Sequence, residues 1–136
     1  MVKIPDEVVN AINNEKNPTV LATVDADGNP HVIEAGSIKA PSNEMMIVAA
    51  ILMKRTDKNL ESMKKDSKIV SFLVLNGMKS YEVRCKVVDF VTSGPLFDAV
   101  AEKIKQMGMT IRGVWTFEPV EVYNESASAE AGTKMV

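Results

Sequence analysis

Apolar residues along this chain recur with two different periods, and the change from one to the other marks its elements. Ile4, Val8 and Ile12 share a helical face around Pro5, Asp6 and Glu7, so a short amphipathic helix is predicted near the start. A proline and two carboxylates suit its first turn. Thr19–Val24 is an unbroken, β-branched-rich run, which predicts a strand buried on both faces. Asp25-Ala26-Asp27-Gly28-Asn29-Pro30 is dense in turn residues and closes a hairpin. The return strand runs from His31 to about Lys39, and Gly36 within it leaves room for another backbone or a ligand. Pro41-Ser42-Asn43 turns the chain into a third strand, Met45–Leu52, which ends in small residues.

A second helix is predicted from Thr56 to about Lys65, with Thr56 as N-cap and Leu60 and Met63 facing inward. Ile69–Leu75 reads as a strand turned by Asn76-Gly77. After it, Tyr81, Val83, Cys85 and Val87 alternate with Glu82, Arg84 and Lys86, the period of a half-buried strand reaching about Val91. Ser93-Gly94-Pro95 opens a third helix whose Phe97, Val100, Ile104 and Met107 share a face, and Gly108 stops it. Val114–Phe117, continued by Val120–Tyr123, is the last strand. One domain over residues 1–123 is therefore expected, with 124–136 a Ser/Ala/Glu-rich tail that frays. The fold class is α+β: a mostly antiparallel six-stranded sheet curling into a barrel, with short flanking helices, because closure hides sheet edges.

Composition narrows the chemistry. The chain has 136 residues, 46% of them apolar, enough for one packed core and too short for two ordinary domains. One cysteine and one histidine exclude a disulfide scaffold and the usual zinc sites. Sixteen basic against eighteen acidic residues give a net charge of −2, so no global field draws nucleic acid or an anionic membrane. The opening Met1–Asp6 lacks the apolar stretch of a signal peptide and no run approaches membrane-spanning length, which makes a cytoplasmic location the expectation. Neither a dinucleotide fingerprint nor a Walker-type phosphate loop occurs. His31 reads as a hairpin-edge residue, the nine methionines as core filler, Trp115 as a barrel or subunit-contact residue and Cys85 as an inert buried thiol.

One stretch concentrates charge. Met53 to Lys68 holds six cations and three anions, and Lys54, Arg55 and Thr56 fall where a strand gives way to a helix. Unbonded amides and the positive dipole end of a first helical turn add to side-chain charge at such a place. A phosphate there could receive an Arg fork, a Lys charge and a hydroxyl. The alternative is an ordinary capped helix with a solvated cationic face, Asp57 neutralising its dipole.

Thr19–Val24, the Asp-Gly turn, His31–Ile38, Met45–Ala50, Met53-Lys54-Arg55-Thr56-Asp57-Lys58-Asn59-Leu60 and Ser93-Gly94-Pro95-Leu96-Phe97 together resemble the FMN-binding split-barrel proteins. These belong to the pyridoxamine 5′-phosphate oxidase-like superfamily, and the chain is most similar to its small FMN-binding members from anaerobic microbes. The resemblance implies that Lys54, Arg55 and Thr56 hold the FMN phosphate and that Asn59 braces that loop or touches the same phosphate. It implies that Glu34, Ala35, Gly36 and Ser37 run along the ribityl chain and ring edge, and that Ala49 and Ala50 let the flavin lie close to the backbone. A homodimer with the flavin between subunits is implied too, acting with an unidentified redox partner as an electron carrier or small flavin-dependent oxidoreductase. A non-catalytic flavin-storage protein, or the same fold with a deazaflavin or haem, is the alternative. Oxidation of the vitamin itself is not implied, because Arg112–Pro119 contains no histidine where the oxidases carry a substrate-gripping Arg and His. No metal site and no catalytic acid or base is assigned.

Overall fold

In the computed structural model, which describes residues 1–136, the elements follow in the order α1 (Asp6–Asn13), β1 (Thr19–Val24), β2 (Pro30–Glu34), β3 (Lys39–Ser42), β4 (Met45–Ala50), α2 (Lys54–Lys65), β5 (Ile69–Asn76), β6 (Lys79–Val91), α3 (Pro95–Lys105), β7 (Gly113–Asn124) and β8 (Thr133–Lys134). All strand pairs are antiparallel, and the sheet runs β2-β1-β5-β6-β7-β4-β3, with β8 added to β7. The α+β class expected from the sequence is what forms. Strand number and closure differ: there are eight strands, not six, and the sheet stays open.

The difference has one local cause. The segment expected to be a single return strand, His31 to Lys39, divides into β2 and β3, which lie at opposite ends of the sheet. Only Ala35–Ile38 connects them. Five extended residue steps reach at most about 18 Å, so the sheet must curl until its two edges come close. The connecting corner bonds to β1 and β4, the strands next to the two edges. Ala35 N–H donates to the Thr19 carbonyl (3.1 Å) and Thr19 Oγ1 donates to the Ala35 carbonyl (2.7 Å) on the β1 side. On the β4 side, Ser37 Oγ accepts the Ala49 N–H (3.2 Å) and donates to the Ala49 carbonyl (3.5 Å).

Inside the curl lies the main core. Leu21, Met46, Val48, Phe72, Val83, Cys85 and Phe117 fill it from the strands, and Leu60 and Met63 close it from α2. Val8, Ala11 and Ile12 of α1 plug it from another side. Phe72 and Phe117 meet edge to face at its centre, ring centroids 4.9 Å apart. A smaller cluster on the opposite face of β4 and β7 (Ile47, Ala49, Val114, Ile111 and Ile104) is covered by α3.

Several elements depart from expectation for physical reasons. β1 alternates buried and half-buried residues, so its continuous apolar run faces a helix and core on one side only. α3 ends at Lys105, which places Met107 in the following turn, 63% exposed. Phe97 and Val100 are half-buried, and Ile104 alone of that face is buried. The helix is a thin cover, not a core element. Residues after Asn124, expected to fray, fold back instead: Met135 N–H donates to the Val122 carbonyl (2.7 Å), and the buried Ser126 hydroxyl accepts the Ser80 N–H (3.0 Å).

Cys85 sits fully buried on β6, and burial, with a smaller contribution from Glu118, pushes its thiol far above the ordinary range. Thiol reagents are expected to leave native protein unlabelled and to modify one cysteine per chain after denaturation. Rapid labelling of the folded state would show that the β6–β7 packing opens.

Candidate functional site

Three residues, Ile51 to Met53, join the end of β4 to α2, so the cationic bend follows directly on the small-residue strand end. α2 starts two residues earlier than the sequence suggested, with Met53 as its N-cap and no side-chain cap at all. Thr56 is therefore not the cap; it lies inside the first turn and is buried there. By helix geometry the N–H groups of Lys54, Arg55 and Thr56 have no partner within the helix. Lys54 and Arg55 are exposed, and neither takes part in an ion pair.

Thr56 stands out in this turn. It is 1% exposed, and its Oγ1 is the one buried side-chain polar atom in the chain with no hydrogen-bond partner. Such an atom costs about 1–3 kcal/mol unless something satisfies it. Thr56→Val, which keeps the shape and removes the hydroxyl, is expected to raise the stability of the ligand-free protein by about 1 kcal/mol while weakening any anion held at the turn. Paired denaturation and ligand titrations read the two signs; a loss of stability would show that the hydroxyl is satisfied within the chain.

Asn59 follows three residues further along α2. It is buried on the same helical face, and its Nδ2 donates to Thr23 Oγ1 (3.0 Å), bracing α2 against β1. Met63 Sδ accepts the Val24 N–H (3.5 Å) one turn further on. Asp57 forms no ion pair with Lys54 or Arg55. Its carboxylate turns toward the start of β7, where it accepts the Trp115 indole Nε1–H (2.9 Å) and pairs with the Arg112 guanidinium.

On the outer side of α2, a cleft of about 290 Å³ lies between Arg55, Lys58, Asn59 and Ser62 and the β1–β2 turn at Asp25–Asp27. Asp25 is committed to that turn. The N–H groups of Asn29 and Asp27 reach its Oδ1 (2.9 Å each) and hold its carboxyl below the ordinary range, Asn29 first, with the charge of Arg55 adding a little.

The second group of predicted residues sits at the corner between sheet edges. Glu34 ends β2 exposed, Ala35 is half-buried against the main core, and Gly36 is exposed. A Cβ built at Gly36 would meet nothing within 4 Å, so no part of this chain requires its smallness. Ser37 is joined to Ala49 by the hydrogen bonds described above. Ala49 and Ala50, being successive strand residues, face opposite ways: Ala49 packs under α3 and Ala50 in the main core. The two small side chains thus lie on opposite faces of β4. The structure thus joins Ser37 to Ala49 and gathers Lys54, Arg55, Thr56 and Asn59 on one helix, with Ile51–Met53 as the link between the two groups.

Sequence reasoning missed the partnership of Asp57, Arg112 and Trp115. Asp57 looked like an ordinary first-turn acid, and no local signal pairs it with residues 55 and 58 positions away. No helix is long and apolar enough to cross a membrane.

The chain belongs to the pyridoxamine 5′-phosphate oxidase family, whose sequence model matches residues 4–128. No curated protein matches the sequence. Among solved structures, HupZ from Group A Streptococcus is similar at 21% identity and a TM-score of 0.78, over 95% of this chain and 99% of that one. An FMN-binding protein from Syntrophomonas wolfei is similar at 18% identity and a TM-score of 0.72, over 90% and 84%. HutZ, the haem storage protein of Vibrio cholerae, is 17% identical with a TM-score of 0.63, over 92% and 97%. At these identities the likeness is one of fold.

Proposed function

We propose that this chain is an FMN-binding flavoprotein that passes electrons, working as a homodimer with the flavin between subunits. One observation carries the reading: a buried, unpartnered hydroxyl, Thr56 Oγ1, in the uncapped first turn of a helix that also bears two unpaired cations. That is the donor set a phosphate monoester takes. Family membership and the FMN-binding neighbour support the choice of ligand.

In this reading Lys54 and Arg55 supply charge to the phosphate, Thr56 donates its hydroxyl, and Asn59 keeps α2 seated on β1 so that the turn does not shift. The corner Glu34–Ser37, held to β1 and β4, borders the rest of the ligand, and at Gly36 no side chain obstructs it. FMN, when bound, supplies the redox chemistry, while the protein contributes orientation and exclusion of water. No side chain of this chain is assigned a proton-transfer role.

Purification followed by an absorption spectrum and mass analysis of what heating releases tests the reading. A flavin spectrum and released FMN are expected; a haem Soret band or a released deazaflavin would replace the ligand within the same fold. Reduction of the bound flavin by a reduced nicotinamide donor, with turnover on an added acceptor, is expected of a carrier; a flavin that no donor reduces would mark a storage protein.

A further inference from the structure

The first turn of α2 contains one acidic residue, and its side chain is occupied elsewhere. Asp57 is 13% exposed at the side chain, with one carboxylate oxygen on the Trp115 indole N–H and the other on the Arg112 guanidinium. Trp115 is a firm anchor. It is buried, and its ring packs on Phe90 with centroids 4.7 Å apart. Phe90 in turn lies over Gly113, where a Cβ would fall 2.4 Å from its ring, so the glycine makes room for the stack. The start of α2 is therefore tied by side chains at two points: Asn59 to β1 and Asp57 to β7. Thr56 and Arg55 sit immediately before the second tie.

We propose that Asp57 is the positioning residue of the anion-binding turn, acting through Trp115 and Arg112. The inference rests on the phosphate reading above. With its carboxylate bound to β7, Asp57 does two things. It keeps its own carboxylate out of ion pairing with Lys54 and Arg55, and it fixes the rotation of α2 about its axis. That rotation decides whether the Thr56 hydroxyl and the free N–H groups converge on one point. A phosphate contact is lost when donors move by an ångström, whereas riboflavin presents no phosphate to this turn.

The experiment compares FMN with riboflavin, which lacks only the phosphate, in fluorescence titrations of Asp57→Ala and Asp57→Asn against wild type. Both variants lose the same charge, so the difference between them reports geometry alone. Asn retains an acceptor for the Trp115 N–H; Ala does not. Asp57→Ala is expected to lower the FMN-to-riboflavin affinity ratio about tenfold relative to Asp57→Asn, with riboflavin affinity alike in both. Trp115→Phe, which keeps an aromatic ring against Phe90 and the Asp57 charge but deletes the N–H, is expected to lower the same ratio and remains available should Asp57→Ala fail to fold. Equal ratios for Ala and Asn, or a wild-type ratio in Trp115→Phe, overturn the positioning role while the phosphate site stands. Wild-type protein that binds riboflavin as tightly as FMN, or neither, overturns both.

Discussion

Replacing Phe117 by alanine is expected to cost about 3–5 kcal/mol of folding stability. The side chain is 1% exposed and meets Phe72 edge to face at the middle of the curled sheet, joining β7 to β5 across the core. Truncation removes the ring's buried area, leaves a cavity between strands that cannot collapse because both are fixed by long ladders, and takes away the aromatic pair itself. A urea-unfolding midpoint shifted downward at unchanged slope is the expected result. A midpoint close to wild type would mean that the sheet does not curl around this pair. Phe97 offers the internal contrast. Its place on a thin covering helix, half-buried, predicts a much smaller loss than its spacing in the sequence suggests.

Arg55→Ala is expected to weaken FMN binding by about 1.5–3 kcal/mol, the usual worth of a charge-assisted contact, with the ligand-free fold intact. Arg55 is exposed and forms no ion pair, so its removal breaks nothing that holds α2 in place. The effect on riboflavin should be small, and the loss for FMN should shrink as salt is raised, because an exposed cation is screened. Undiminished FMN affinity in the variant would remove the cationic bend from the site. Thr56→Val and Arg55→Ala thus separate cleanly: the first is expected to change stability and binding in opposite senses, the second binding alone.

Much of the architecture was legible because its causes are local. The alternation from Tyr81 to Val87, the turn residues at Asp25–Pro30, and Gly94-Pro95 before α3 each act over a few residues, and each element formed where they point. Lys54, Arg55, Thr56 and Asn59 were legible as a group for the same reason, since helical spacing alone puts Thr56 and Asn59 on one face. The division of His31–Lys39 into two strands was not, because Ala35–Ile38 is set by partners at both ends of the sheet, β1 and β4, that only the completed fold brings near. Nor was the state of Asp57, whose partners lie 55 and 58 residues away.

Residue order alone therefore established the three helices and most of the strands, the α+β class, and the cationic turn at the start of α2, since all three follow from short-range periodicity and charge. Tertiary structure decided that the sheet is open with β2 and β3 at its ends, that Ala49 and Ala50 face different cores, and that the Thr56 hydroxyl is buried without a partner while Asp57 is bound to Trp115 and Arg112. These depend on which surfaces meet, and a hydrogen bond between distant residues has no signature in the neighbours of either one.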